Sequence, residues 1–270
     1  MKGKVSVIIA AYNNEKTITN AIKSILNQTY DNWECIICDD ASTDRTWDIV
    51  CEFKNKYAEK IIGIKNGFNY GPAYSRNRCI DIACGEYIAI QDADDESFHN
   101  RLERQVNFLN LNTDVSVVGT YANLVDNKGK TWGINRPSLE PLKEHWIKGS
   151  QVIHASTMIR KSHIVNVGNY DEHLRFGEDY DLFLKLISKG YKIVTIPEVL
   201  YKIHMDKKDY KKKILRARLL ELRVKKRALK SLNIPIKNYI FLLKPLFLGV
   251  VPKRLLFFYH AHKFKNQNLD

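Results

Sequence analysis

The sequence predicts an α/β protein with an open, mostly parallel β-sheet flanked by helices, followed by a basic helical tail. Short apolar runs of strand length alternate along the chain with segments whose apolar residues recur at helical spacing. Polar motifs directly follow three of the apolar runs, and the carboxyl ends of parallel strands meet at one edge of a sheet. A sharp change in charge after residue 204 separates the tail from the rest of the chain.

The first elements follow from local pattern. The apolar run 5–11 is typical of a central parallel strand. Apolar residues from Ile18 to Leu26 then recur at helical spacing. Residues 33–38 are predicted as the second strand, which ends in a turn at 39–44 rich in helix-capping residues. A helix around 49–53 follows.

The alternation of strands and helices continues beyond residue 60. The pattern predicts strands at 61–64, 87–90 and 115–118 and helices at 72–83 and 101–109. Pro72 suits the first turn of its helix, where its missing N–H is not needed. The stretch 123–153 shows no clear period and predicts an irregular region, with a turn at 127–129.

Charge divides the chain into a main domain at 1–204 and a tail at 205–270. The tail holds 18 Lys and Arg against 4 Asp and Glu, whereas the remaining residues are almost neutral. Residues 207–230 form a basic amphipathic pattern, and apolar runs follow at 239–248 and 255–259. This combination favours a segment that lies on an anionic membrane surface. The alternative is a helical pair that packs on the main domain; nucleic acid is not expected, because no binding motif supports it.

The five cysteines predict free thiols in a reducing compartment, because their number is odd and most lie in apolar runs. Cys35 and Cys38 lie in one predicted strand, where positions three apart face opposite sides of the sheet. The first residues show no signal-peptide pattern, and no run approaches the roughly 18 apolar residues of a membrane span.

Two acidic motifs carry the predicted chemistry. Asp92-Ala93-Asp94, followed by Asp95, comes directly after a buried strand and offers hard oxygen ligands for Mg²⁺ or Mn²⁺. Its alternative is a solvated acidic turn. The second motif, Gly177-Glu178-Asp179-Tyr180-Asp181, begins a helix. One of its carboxylates is a candidate general base, and the alternative is that these acids only complement the helix dipole.

Six segments, in order and spacing, resemble glycosyltransferase family 2, whose members have the GT-A (Rossmann-like) fold. The resemblance covers roughly residues 3–204. The segments are Val7-Ile8-Ile9-Ala10-Ala11-Tyr12-Asn13-Asn14-Glu15, Cys38-Asp39-Asp40-Ala41-Ser42-Thr43-Asp44, Asn69-Tyr70-Gly71-Pro72-Ala73 with Arg76-Asn77, Gly85-Glu86-Tyr87-Ile88-Ala89, Asp92-Ala93-Asp94-Asp95, and Gly177-Glu178-Asp179-Tyr180-Asp181-Leu182. The resemblance implies an enzyme that transfers a sugar from a nucleotide-diphosphate donor, expected to be a UDP-sugar, to a hydroxyl acceptor with inversion.

The resemblance also implies roles for individual residues. Asp179 would be the catalytic base, and Asp39 or Asp40 would hydrogen-bond the base of the nucleotide, since uracil offers one ring N–H. A guanidinium at Arg76 would suit the diphosphate. The implied donor-binding residues are Ala11, Tyr12, Asn13, Glu15, Asp39, Asp40, Arg76, Asp92, Ala93 and Asp94. The implied ligands of Mn²⁺ or Mg²⁺ are Asp92, Asp94 and His204.

The sequence departs from the family pattern at Ala41 and Cys79, where glycine is usual, but neither change removes a carboxylate. His154 is a weaker candidate for the acceptor side. The expected acceptor is a glycan or a lipid-linked glycan in cell-surface polysaccharide synthesis, at the cytoplasmic face of the membrane. A nucleotidyltransferase and a non-catalytic nucleotide-sugar or membrane-binding module are the alternatives. The first lacks support, because no glycine-rich basic loop follows the first strand.

Overall fold

A computed structural model describes residues 3–205 together with residues 222, 224–226, 229, 232 and 235. Within 3–205 the strands are β1 (Val5–Ala11), β2 (Trp33–Asp39), β3 (Ile61–Lys65), β4 (Tyr87–Ile90), β5 (Glu96–Ser97), β6 (Val115–Val125), β7 (Thr131–Asn135), β8 (Met158–Arg160) and β9 (Lys192–His204). The α-helices are α1 (Ile18–Leu26), α2 (Thr46–Lys56), α3 (Pro72–Ile82), α4 (Arg101–Leu111), α5 (Lys161–Asn166) and α6 (Glu178–Ser188). Short 3-10 helices lie at Lys143–Lys148 and His154–Ser156.

One sheet joins all of these strands, in the order β3-β2-β1-β4-β8-β6-β9-β5, with β7 added beside β6. The strands β3, β2, β1 and β4 are parallel. Beyond them β8 is antiparallel to both of its neighbours, and β6 and β9 are parallel to each other. The predicted α/β class and the parallel first half are therefore confirmed, whereas the second half of the sheet is mixed.

The chain reverses direction across the sheet between β1 and β4. From β1 it moves outward through β2 to β3, and it then returns to place β4 on the other side of β1. At such a reversal, the segments that leave neighbouring strands diverge to opposite faces and leave a crevice at the carboxyl ends of the strands. The loops after β1, β2 and β4 all open toward this crevice.

The core consists of two layers, one on each face of the sheet. Alternate residues of β1 divide between them: Ile8 belongs to the layer covered by α3 and α6, and Val7 to the layer covered by α1 and α4. Cys38 and Cys35 divide in the same way, as the spacing predicted. The five cysteines are free, and burial raises the pKa of the Cys35 thiol to about 12.

The region predicted to be irregular contains more regular structure than its pattern indicates. β6 continues to Val125, past the predicted end at 118, and the turn at 127–129 connects it to β7 as an antiparallel hairpin. The extension carries polar residues such as Thr120 and Asn123, which interrupt the apolar pattern. It nevertheless remains a strand, because β9 pairs with it as far as His204.

The tail mostly lies outside the described residues, including both predicted apolar runs. Of its described positions, Val224 and Leu229 are helical and buried. Val224 packs in the layer covered by α3 and α6, and Leu229 contacts Ile147. These two positions agree with packing on the catalytic domain. Among the described helices, none is both long enough and apolar enough to cross a lipid bilayer.

Candidate active site

The loops after β1 and β2 are joined to each other by hydrogen bonds. Asn13, at a positive φ of 54°, donates its N–H to Ser42 Oγ and accepts the N–H of Thr43. Glu15 accepts the N–H of Arg45 at 3.2 Å and donates its own to Asp44. Asn13 and Glu15 therefore shape the crevice wall through contacts within the protein, and their predicted roles as donor-binding residues stay predictions.

Two further predicted donor-binding residues lie at the end of β1. Ala11 is its last residue and is buried, so its side chain forms part of the core. Tyr12 follows and is 46% exposed at the mouth of the crevice. An exposed aromatic ring at this place offers a flat apolar surface on which a nucleotide base can stack.

Asp39, the last residue of β2, is completely buried, and its two carboxylate oxygens differ in their surroundings. Its Oδ2 accepts the N–H of Ser42 at 3.1 Å and lies 4.0 Å from the Lys65 ammonium. Its Oδ1 is buried with no hydrogen-bond partner among the described residues. A buried acceptor without a partner is costly, and a ligand that donates an N–H would remove this cost.

Asp40, its neighbour, is fully engaged within the protein. Its Oδ1 accepts hydrogen bonds from the Asn66 amide at 2.7 Å and from the Tyr70 N–H at 3.0 Å. Its Oδ2 accepts the N–H of Gly71 at 2.8 Å, directly before α3. The two carboxylates left as alternatives by the sequence therefore differ: Asp40 fixes the loop that enters α3, and Asp39 is the better candidate for the nucleotide base.

The acidic motif after β4 forms a compact cluster. Asp92, Asp94 and Asp95 each place a carboxylate oxygen within 4.8 Å of the other two. Burial, together with the negative charges of Asp92 and Asp94, raises the pKa of the Asp95 carboxyl well above its usual range. Ala93 is buried between the two predicted ligands. Such a set of carboxylate oxygens fits Mg²⁺ or Mn²⁺, whose charge would offset the mutual repulsion.

Arg76, in α3, joins the two acidic motifs. Its Nη1 donates to Glu178 at 2.8 Å and its Nη2 donates to Asp92 at 3.2 Å. Burial alone lowers the pKa of this guanidinium, but the two carboxylates outweigh it and raise the pKa above the usual value. Arg76 thus lies beside the predicted metal ligands, where it also sets the position of the α6 N-terminus.

Asp179 is the second residue of α6, which begins directly after Gly177. The positive φ of 79° at Gly177 turns the chain into the helix. Burial raises the pKa of its carboxyl, and the negative charge of Asp92 adds to this, although Arg76 and the helix amides oppose it. A raised pKa brings a carboxylate closer to neutral pH and makes it a stronger base. This environment supports the predicted role of Asp179.

The two candidate histidines lie close to the site but face other partners. His204 donates its backbone N–H to Asp95, while its ring Nε2 lies 2.8 Å from Glu96. It is not part of the three-carboxylate cluster, and its role as a metal ligand stays a prediction. His154 lies 2.8 Å from the Tyr170 hydroxyl, and burial with the nearby Arg76 charge lowers its pKa well below the usual value.

Several contacts that organise the site were not predicted from the sequence. Glu178 binds Arg76 across 102 positions of the chain, and the Tyr201 hydroxyl accepts the N–H of Asp92 from a strand 109 residues further on. Gln91 precedes the acidic motif and binds three groups around it. Glu178 lies in the second acidic motif, where the sequence indicated a candidate base but not an ion pair with Arg76. Gln91 had a weaker local signal, a polar residue directly before the acidic turn, and Tyr201 had none.

The parallel half-sheet, the crevice and the carboxylates at its edge define a glycosyltransferase of the GT-A fold. The chain belongs to the family described as "Glycosyl transferase family 2", whose model matches residues 6–168. It is 36% identical to the "Putative glycosyltransferase EpsE" of Bacillus subtilis (strain 168), over 98% of this chain and 95% of that protein.

Another relative is the Escherichia coli protein named "UDP-Glc:alpha-D-GlcNAc-diphosphoundecaprenol beta-1,3-glucosyltransferase WfaP". It is 34% identical, over 74% of this chain and 77% of that protein. Among solved structures, S. aureus TarS 1-349 in complex with UDP superposes with a TM-score of 0.67 at 20% identity, over 90% of this chain and 70% of that chain. The match to TarS shows the shared fold.

Proposed function

We propose that the protein transfers a sugar from a UDP-sugar to a hydroxyl group of a glycan or lipid-linked glycan, with inversion at the anomeric carbon. The observation that carries this proposal is the cluster of Asp92, Asp94 and Asp95 beside Arg76 at the crevice. Such a cluster suits a divalent cation, Mn²⁺ or Mg²⁺. The cation would in turn bind the diphosphate of a nucleotide-sugar donor.

The nucleotide would lie against the loops after β1 and β2. The unpaired Oδ1 of Asp39 is a buried acceptor, and the ring N–H of uracil is a donor of matching chemistry. Tyr12 would cover the base from the exposed side. These contacts favour a uracil nucleotide over cytosine, which has no N–H on its ring nitrogen at this position.

The chemical step requires one base. The Asp179 carboxylate would accept the proton of the acceptor hydroxyl while that oxygen forms a bond to the anomeric carbon. The bond between the anomeric carbon and the diphosphate oxygen breaks, and UDP leaves with the electron pair. Attack and departure occur on opposite faces of the sugar, so the configuration inverts, and one carboxylate is sufficient.

The chain would hold the cation through Asp92 and Asp94, with Asp95 as a third ligand. A bound Mg²⁺ or Mn²⁺ supplies positive charge that stabilises the diphosphate as it leaves. Arg76 keeps Asp92 oriented, because its guanidinium is tied at its other nitrogen to Glu178. Its charge also contributes to the positive potential close to the leaving group.

Names and ligands of similar proteins agree with this proposal. The WfaP relative is named for a UDP-Glc donor and a diphosphoundecaprenol-linked acceptor. TarS, which shares the fold, has been crystallised with UDP and with UDP-GlcNAc. We extend the uracil nucleotide and the lipid-linked acceptor to this protein as part of the proposal.

Calorimetry of the purified chain with UDP, GDP, CDP and dTDP, each with Mn²⁺ and with chelator, tests the donor. We expect UDP to bind in the micromolar range only with metal. Asp94→Asn should abolish the effect of the metal, whereas Asp114→Asn, a change at an exposed aspartate that pairs with Lys192, should leave it intact. Metal-independent binding of UDP to the unmodified protein would refute the proposed metal site. An equal loss of the metal effect in Asp94→Asn and Asp114→Asn would refute it as well.

We also propose that the protein acts as a peripheral enzyme at the inner face of the cell membrane, through its basic tail. The support is the charge of residues 205–270, which hold 18 basic and 4 acidic residues. Sedimentation of the full chain with vesicles tests this. We expect binding to vesicles that contain phosphatidylglycerol, weakened by salt, and none to pure phosphatidylcholine. If the protein sedimented with neither kind of vesicle, the proposal would fail, and the tail would serve only to pack on the catalytic domain.

A further inference from the structure

A buried arginine lies directly beneath the acidic cluster. Arg101, the first residue of α4, is 0% exposed. Its hydrogen bonds go to Gln105 Oε1 (3.1 Å), Ser97 Oγ (2.9 Å), the carbonyl oxygens of Ile90 (2.8 Å) and Thr157 (3.1 Å), and, more weakly, Gln91 Oε1 (3.5 Å). Each of these acceptors is neutral. Burying a cation without a hydrogen-bonded carboxylate is costly, so an arginine at this position suggests a structural or functional role.

Two carboxylates of the acidic motif, those of Asp92 and Asp95, act on Arg101 through space. Burial lowers the pKa of Arg101 to about 10, and the charges of Asp92 and Asp95 oppose this shift. The guanidinium therefore remains positive at neutral pH. Its attraction for the carboxylates acts through the protein interior, where charges are screened less than in water.

Gln91 connects Arg101 to the backbone of the acidic turn. The guanidinium and the Ser97 hydroxyl both donate to its Oε1, so the side-chain amide must face the other way. Its Nε2 then donates to the carbonyl oxygens of Asp92 and Asp95 at 3.0 and 2.9 Å. The orientation of one amide group thereby ties the two ends of the turn together.

Tyr201 forms the second connection. Its ring centroid lies 5.0 Å from the guanidinium carbon of Arg101, as in a cation–π contact. Its hydroxyl accepts hydrogen bonds from the Asp92 N–H and from the Gln91 Nε2, each at 3.1 Å. Tyr201 thus links Arg101 to the Asp92 backbone and to the Gln91 amide.

We propose that Arg101 is a positioning residue for the acidic turn: through Gln91 and Tyr201 it holds residues 91–95 in the conformation in which the three carboxylates converge. The turn would then be preorganised, and ligand binding would not have to meet the cost of ordering it. The part of this inference that concerns metal affinity rests on the proposed function. The part that concerns the conformation of the turn does not.

Arg160 provides a matched control. It too donates to backbone carbonyl oxygens, those of Val115 at 2.8 Å and Leu109 at 2.7 Å, and lies over a tyrosine ring, Tyr87, at 5.6 Å. It lies in β8 beside the first residue of β4, at the opposite end of that strand from the acidic turn. Arg160→Met therefore removes comparable contacts at a place remote from the cluster.

Hydrogen exchange of the protein without metal or nucleotide tests the conformational part. We expect Arg101→Met to speed exchange of the Asp92 amide by at least about tenfold, because the opening of the turn becomes easier. Arg160→Met should leave this amide unchanged. Arg101→Lys, which keeps the positive charge but loses the planar set of five donors, should act in the same direction and serves if Arg101→Met does not fold. Unchanged exchange in Arg101→Lys and in any folded Arg101→Met would overturn the inference.

Calorimetric titration with Mn²⁺ in the presence of UDP tests the consequence for the site. We expect about tenfold weaker Mn²⁺ binding in Arg101→Met and Arg101→Lys, and unchanged binding in Arg160→Met even at an equally reduced melting temperature. A loss of affinity that simply follows melting temperature across all three variants would overturn the positioning role. If the unmodified protein binds no Mn²⁺, the proposed function fails, and the exchange experiment alone decides the inference.

Discussion

Exchanging one carboxylate oxygen for an amide should separate the roles of the neighbours Asp39 and Asp40. In Asp39→Asn the new amide oxygen can keep the hydrogen bond to the Ser42 N–H. The amide nitrogen then replaces Oδ1, which has no partner among the described residues. A donor thereby stands where the ring N–H of uracil needs an acceptor, so we expect nucleotide binding to weaken while the fold is kept.

The expected size follows from the contact that is lost. A hydrogen bond to a charged group contributes roughly 1.5–3 kcal/mol, which corresponds to roughly a 10- to 150-fold increase in the dissociation constant for UDP. Asp40→Asn should behave in the opposite way. Its two oxygens accept two backbone N–H groups and the Asn66 amide, and loss of one acceptor leaves a buried donor unpaired. We expect unfolding to become easier by about 1–3 kcal/mol.

Calorimetry with UDP and Mn²⁺, together with urea denaturation, measures both quantities on the two variants and the unmodified protein. Asp39→Asn should show weak binding with an unchanged denaturation midpoint. Asp40→Asn should show a lower midpoint and nearly unchanged binding at temperatures where it is folded. If Asp39→Asn bound UDP normally, or if Asp40→Asn lost as much affinity while fully folded, the division of roles between the two residues would be wrong.

Two further predictions concern catalysis and packing. Asp179→Asn should lower kcat by roughly 10²- to 10⁴-fold with little change in UDP affinity, because only proton transfer is lost. The base must be ionised to accept a proton, and the pKa of Asp179 is raised. As the pH is lowered, kcat of the unmodified protein should therefore begin to fall at a higher pH than the pKa of an ordinary aspartate. A kcat that stays constant down to about pH 4 contradicts this. Gly85→Ala should destabilise the fold by about 1–3 kcal/mol, since its Cβ would lie 2.6 Å from the backbone nitrogen of Ser6. Gly67→Ala, where a Cβ meets nothing within 4 Å, is the control in thermal denaturation, and an equal loss in both variants would contradict the packing argument.

Local elements were largely predictable from the sequence. The first strand is found at the predicted bounds, Val5–Ala11, and the second extends one residue past its prediction, to Asp39. These segments are buried on both faces, and each is apolar except for one internal polar residue, Ser6 in the first and Glu34 in the second. The long β6 was predicted only in its first part, because its later residues become a strand through pairing with β9 rather than through their own pattern.

The sequence alone determined the class of fold, the edge of the sheet at which polar motifs gather, and the set of residues that can carry the chemistry. These depend on short-range periodicity and on the order of motifs along the chain. Only the tertiary structure decided which of Asp39 and Asp40 leaves an oxygen without a partner among the described residues, that Arg76 joins Glu178 to Asp92, and that Arg101 lies buried under the acidic turn. The reason is physical: the charge and hydrogen bonding of each of these groups are set by partners up to 102 residues away, whose approach depends on how the strands are ordered in the sheet.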